Sequence, residues 1–88
     1  MSRSRQEIQD WIVARVSALT GVPTAEIAVH KPLLRCGLDS VAVVALASDL
    51  ETWLGYRFQE NPLDEYPTIE ALAGFLAEQV AGEARNNS

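Results

Sequence analysis

Apolar side chains recur at helical spacing in three stretches of the chain, separated by turn-forming residues. Ile8, Trp11, Ile12, Val16 and Leu19 fall three or four positions apart, the period of one face of an α-helix. Ser4 followed by Glu7 is the signature of a capping box, in which each side chain accepts the other residue's unbonded backbone N–H. A first helix is expected from about Ser4 to Leu19, stopped by Gly21 and Pro23. The second stretch begins after Asp39 and Ser40, either of which can cap a helix, and stays apolar until Gly55 offers a stop. The third carries Ile69, Leu72, Ala73, Leu76 and Val80 behind Thr68 as its cap. It is expected to end near Gly82, leaving 83–88 as a flexible tail.

Residues 21–38 lack a sustained period, yet Val22, Ile27, Val29, Leu33, Leu34 and Leu38 are spread through them. They predict a long loop pinned to a core, shortened by a single helical turn after Thr24. Loops of this length are uncommon in compact domains and often functional. Asn61 and Pro62 suit the start of another helix, but Pro67 pushes Tyr66 out of the helical region, so only about one turn fits. There is no strand-like alternation and no internal repeat. The expected fold is all-α: a small bundle of three main helices plus one short helix, with a long loop between helices one and two. Residues 1–88 read as a single domain with its core at about 4–82.

The second helix has two apolar faces. Val43, Leu46, Ala47, Leu50 and Leu54 form a core seam, while Val41, Val44, Ala45 and Ser48 follow the same spacing around the cylinder. The second face either touches the long loop or stays open for a partner, and spacing alone leaves both readings standing.

Composition narrows the function classes. With 88 residues, 48% hydrophobic and 22% charged, the chain buries about 63% of its unfolded surface, enough for one small core. One cysteine, Cys36, and one histidine, His30, exclude an internal disulfide and a Cys/His metal cluster. A reducing cytoplasm is the expected compartment. The longest apolar run, 41–47, is far too short to cross a membrane, and the amino terminus has no signal core. A net charge of -5 opposes nucleic-acid binding. Between residues 39 and 70 stand Asp39, Asp49, Glu51, Glu60, Asp64, Glu65 and Glu70 against Arg57 alone, which makes this segment the candidate face for a basic partner.

Cys36-Gly37-Leu38-Asp39-Ser40 stands at the mouth of the second helix. Unpaired N–H groups and the helix dipole favour a negative group there by roughly 0.3–1 kcal/mol, so a phosphodiester on the Ser40 hydroxyl would be well placed. The same dipeptide Asp39-Ser40 also reads as a plain helix cap. Taken with Glu65-Tyr66-Pro67-Thr68-Ile69-Glu70-Ala71-Leu72 downstream, Gly37-Leu38-Asp39-Ser40 opening an apolar helix resembles the acyl carrier protein family, over about Ile8 to Val80.

The resemblance implies that Ser40 receives a 4'-phosphopantetheine arm from coenzyme A, attached by a separate phosphopantetheinyl transferase. Acyl groups would ride on its thiol as thioesters. It further implies that Asp39 is engaged by the transferase, that Leu38 anchors the loop beneath the serine and that Gly37 completes the motif. Aspartate before the serine resembles acyl carriers, where peptidyl carriers usually have histidine, and Tyr66-Pro67-Thr68 resembles modular polyketide synthase carriers. Leu50-Glu51-Thr52-Trp53-Leu54-Gly55 is similar to carriers that work with fatty acyl-AMP ligases. The partners implied are the transferase, an acyl-loading enzyme (acyl-AMP ligase or acyltransferase) and ketosynthase or tailoring enzymes, met by a monomer. Many family members have an acid and a large residue where this chain has Ala45 and Ala47. The partner face is therefore expected at Val41, Val44, Ala45 and Ser48, with Asp49, Glu51, Asp64 and Glu65 steering encounter.

Three other readings are weaker. An enzyme built on Ser40 lacks a Gly-x-Ser-x-Gly setting, and His30 lies in the loop before Pro32, where it reads as a solvated residue. Cys36 reads as a small packed side chain, and Trp11 and Trp53 as core. A DNA-binding helix-turn-helix needs a short turn and a basic helix, whereas the second helix holds Asp49 and Glu51 and no Lys or Arg. The surviving alternative to a carrier is an unmodified acidic helical protein-interaction domain.

Overall fold

The computed structural model describes residues 4–55, 57, 58 and 66–86, with side chains as far as Val80. Its three helices are α1 (Arg5–Thr20), α2 (Ser40–Leu54) and α3 (Ile69–Asn86). The capping box forms as expected: Ser4 Oγ accepts the Glu7 N–H at 3.1 Å, and Glu7 Oε1 accepts the Ser4 N–H at 3.3 Å. Gly21 and Gly55 close α1 and α2 in the left-handed conformation, each N–H returning to a carbonyl of the last turn. Thr68 Oγ1 accepts the Ala71 N–H at 3.1 Å and so starts α3.

Helix α3 does not stop near Gly82 but continues to Asn86. A glycine inside a helix costs only about 1 kcal/mol relative to alanine, and Ala81, Glu83, Ala84 and Arg85 around it are strong helix formers.

The core takes Ile8, Ile12 and Val16 from α1, Val43, Leu46 and Leu50 from α2, and Ile69, Leu72, Ala73 and Leu76 from α3. These follow the predicted seams, with Ala47 and Leu54 of α2 packed half-buried at their edge, except that Leu19, expected in the α1 stripe, is 42% exposed in the last turn of that helix. Leu33 and Leu38 complete the core from the loop. Trp11 of α1 stacks on Trp53 of α2 with ring centroids 4.9 Å apart, and Tyr66 stacks on Phe75 at 4.4 Å. All four rings are partly buried against the core.

The long loop holds the expected turn as a 3₁₀ segment, Thr24–Glu26, and a second one at Leu33–Arg35. It is tied to the start of α3 by backbone: the Leu33 N–H donates to Pro67 O at 2.9 Å and the Glu70 N–H to Val29 O at 3.1 Å. Pro32 and Thr68 form an isolated antiparallel bridge between these bonds. Leu34 departs from the pinned-loop expectation and is 63% exposed. The tight turn sends adjacent side chains in different directions, so with Leu33 inside, Leu34 faces out. The short helix expected from Asn61 lies outside the described residues. Among the described residues no helix is long and apolar enough to cross a membrane.

Leu46 is fully buried, so Leu46→Ala should lower the unfolding free energy in urea by about 2–5 kcal/mol. Val44→Ala on the exposed face should stay within roughly 0.5 kcal/mol of wild type. Asp39→Ala removes the α2 cap and should cost about 1 kcal/mol in the same titration, while Asp39→Asn, which caps equally well, should fall close to wild type.

Candidate functional site

The second 3₁₀ turn ends as the Cys36 N–H donates to Leu33 O at 3.0 Å. Gly37 follows at φ 94°, a conformation that glycine alone adopts without strain. A Cβ there would make only ordinary contact with Thr20, at 3.6 Å, so the backbone conformation and not space calls for glycine. Leu38 then turns inward and is 4% exposed.

Asp39 is extended, with φ -90° and ψ 176°, and caps α2. Its Oδ1 accepts the Ala42 N–H at 2.8 Å and its carbonyl accepts the Val43 N–H at 3.0 Å. Of the two possible caps it is the aspartate that serves. Ser40 is the first helical residue, exposed, and among the described residues nothing hydrogen-bonds its hydroxyl. The Ser40 and Val41 N–H groups likewise find no acceptor there, as expected of the first positions of a helix. An outward hydroxyl beside unpaired N–H groups at the positive end of a helix dipole suits a phosphodiester.

The second face of α2 is open. Val41 is 76% exposed and Val44 62%, and Ala45 and Ser48 are exposed with them. The reading in which this face rests on the loop does not hold, and on the loop itself Leu34 is also exposed. Cys36 is half-buried, its thiol directed at Ala28 O and Pro32 O.

The acids expected to steer partners are placed differently. Asp49 is ion-paired with Arg15 of α1, whose Nε lies 3.0 Å from Oδ2. Glu51 Oε2 accepts the Phe58 N–H at 2.8 Å. Asp64 and Glu65 lie outside the described residues. His30 is exposed as expected, but its Nδ1 sits 2.8 Å from Glu70 Oε2, a link between the loop and α3 that the sequence did not announce. Arg5 approaches the same carboxylate at 3.8 Å. These pairs join residues far apart in sequence, and no local spacing betrays them. Leu34 was legible in principle, because of two consecutive leucines in a tight turn only one can enter the core. Among the described residues no group of three His, Cys, Asp or Glu could hold a metal ion.

The family described as the phosphopantetheine attachment site matches residues 10–76. The chain is 29% identical over 77 residues to one of the subunits of the phenolphthiocerol/phthiocerol polyketide synthase of Mycobacterium tuberculosis; the match covers 88% of this chain and only 4% of that protein's length. It is also 29% identical over 72 residues to the acyl carrier protein TtuC of Teredinibacter turnerae, covering 82% of this chain and 83% of that one. In fold it is similar to the HMG-ACPI domain from the CurA module of Lyngbya majuscula, with a TM-score of 0.80 at 21% identity, covering 92% of this chain and 82% of that one. Because the matched residues run from α1 through the Gly37–Ser40 loop to the buried Leu76 of α3, the chain belongs to the phosphopantetheine-binding carrier family.

Proposed function

We propose that this protein carries acyl intermediates as thioesters on a 4'-phosphopantetheine arm attached to Ser40, in the biosynthesis of a polyketide or a related natural product or lipid. The observation that carries the reading is the division of labour at the start of α2. Asp39 caps the helix at 2.8 Å from the Ala42 N–H, which leaves Ser40 exposed and its hydroxyl without a bond among the described residues. A serine that served only as a cap would have its oxygen on a backbone N–H. The similarity to an acyl carrier protein and to part of a polyketide synthase supports the acyl class of cargo.

The chain acts as an acceptor and not as a catalyst. The Ser40 oxygen displaces adenosine 3',5'-bisphosphate from coenzyme A, forming one phosphate ester bond as the pyrophosphate link breaks. The hydroxyl proton passes to a base of the phosphopantetheinyl transferase, since His30, the chain's one imidazole, is turned toward Glu70. When bound, the arm supplies a thiol that holds the acyl group. Leu38 and the Asp39 cap keep Ser40 fixed at the surface, and Gly37 lets the loop enter the helix at the required angle.

Partners dock on Val41, Val44, Ala45 and Ser48 beside the serine. These are the transferase, an acyl-loading enzyme (acyl-AMP ligase or acyltransferase) and ketosynthase or tailoring enzymes. The contact is small and transient, below about 1,200 Å². Tethering compensates for weak docking by raising the cargo's effective concentration at each active site. With Asp49 paired to Arg15 and Glu51 bonded to Phe58, apolar contact dominates, and the acidic charge of the chain steers encounter. The chain works as one monomeric carrier domain in the cytoplasm.

Intact-protein mass after incubation with coenzyme A, magnesium and a promiscuous transferase should rise by one phosphopantetheine group in wild type and not in Ser40→Ala. No gain on folded wild-type protein overturns the carrier reading. Val44→Asp, on an exposed position that the fold does not need, should abolish acyl transfer from the cognate loading enzyme. Added salt should only slow the wild-type reaction. Unchanged transfer by the variant would remove α2 from the docking surface.

A further inference from the structure

One carboxylate joins three elements at the start of α3. Glu70 holds the loop by backbone and side chain together: its N–H donates to Val29 O at 3.1 Å, and its Oε2 lies 2.8 Å from His30 Nδ1. The other oxygen, Oε1, is approached by Arg5 of α1 at 3.8 Å. Arg5 reaches it beside Gly74, one turn farther along α3, where a Cβ would stand 3.8 Å from the arginine Nε. Among the described residues these are the only charged partners of Glu70, and Lys31, next to His30 on the loop, is exposed and in no ion pair.

We propose that protonation of His30 closes a clasp on Glu70 that orders residues 28–33, so that pH sets how firmly the loop is held to α3. A carboxylate only accepts, so the 2.8 Å contact needs a proton on Nδ1. The imidazolium always carries one there, and its bond to the carboxylate is charge-assisted. The neutral ring has one proton for two nitrogens. With the proton on Nδ1 the bond survives without the charge, and with it on Nε2 a lone pair faces the carboxylate. Imidazoles change charge between about pH 5 and 8, so the clasp is closed at the acid end of that range and loosens as the pH rises. A guanidinium keeps its charge throughout. Arg5 then holds Glu70 alone, and the side-chain link passes from the loop to α1.

The geometry confines the effect to one stretch of chain. His30 lies between the two points where backbone ties the loop to α3, the Glu70 N–H to Val29 O and the Leu33 N–H to Pro67 O. Beyond them Leu33 and Leu38 are anchored in the core. The ion pair of Arg15 with Asp49, between α1 and α2, joins a guanidinium to a carboxylate, groups that hold their charge over the same range. The clasp acts on the loop whether or not Ser40 carries an arm.

Amide hydrogen exchange of the ¹⁵N-labelled, unmodified protein tests the clasp at Leu33 and Glu70, whose N–H groups make the two backbone ties. Their protection is corrected for the intrinsic pH dependence of exchange and divided by that of buried Leu50 in α2, which removes changes in global stability. From about pH 5.5 to about pH 8 the ratio should fall roughly two- to fivefold, the size an exposed ion pair supports. In His30→Gln and in Glu70→Ala it should not change with pH. His30 is exposed and Glu70 partly so, and both variants should fold, as far-UV circular dichroism checks. A wild-type ratio that stays flat, or a fall that persists in either variant, overturns the clasp and leaves the carrier reading of Ser40 intact. A failure of arm attachment, in turn, overturns that reading and leaves the clasp standing.

Discussion

The hydrogen bond from the Ala42 N–H to Asp39 Oδ1, 2.8 Å long, starts α2 one residue ahead of Ser40, and the rest of the site follows from that placement. A helix must satisfy its first N–H groups somehow, and serine and aspartate are nearly equal candidates for the task. Because the carboxylate takes it, the hydroxyl is left at the positive end of the helix dipole, beside two N–H groups that find no acceptor among the described residues. If the roles of the two residues were exchanged, the serine oxygen would point back over its own backbone and would have to break a bond before accepting anything.

A cap fixes only the helix end, so the approach to it must also be held. The loop does this through two buried side chains, Leu33 and Leu38, and through backbone bonds that tie Val29 and Leu33 to the start of α3. Burying a leucine contributes roughly 1.5–3 kcal/mol, well above an exposed ion pair of about 0–1 kcal/mol. The loop is therefore held chiefly by its leucines, and the exposed His30–Glu70 contact trims its position. The same arrangement links α3 to the serine loop.

Net charge does not describe the surface immediately beside Ser40. The chain carries -5 overall, yet on α2 the first acid after the cap is Asp49, already paired with Arg15. Between Ser40 and Ser48 the helix exposes valine and alanine, and the loop side of the serine exposes leucine, lysine and arginine. A charge tally assigns such a protein a basic partner. Among the described residues the surface next to Ser40 is apolar along α2 and exposes Lys31 and Arg35 on the loop.

The hydrophobic periods, the capping box of α1, the Thr68 cap and the Gly37–Ser40 motif are local patterns, and for these the amino-acid order was sufficient to place three helices, their buried seams and the candidate serine. A helix needs only its own spacing and caps to be recognised, because the forces that shape it act over three or four residues. Tertiary structure decided what depends on distant neighbours. Asp39 rather than Ser40 caps α2, Leu34 is exposed while Leu33 is buried, and Val41 and Val44 face away from the loop. Asp49 and Glu70 are engaged by residues of other elements, and α3 passes through Gly82. Burial and pairing between separate elements leave no periodic trace, since they are set by which surfaces meet once the core has closed and by which positions that closure leaves outside.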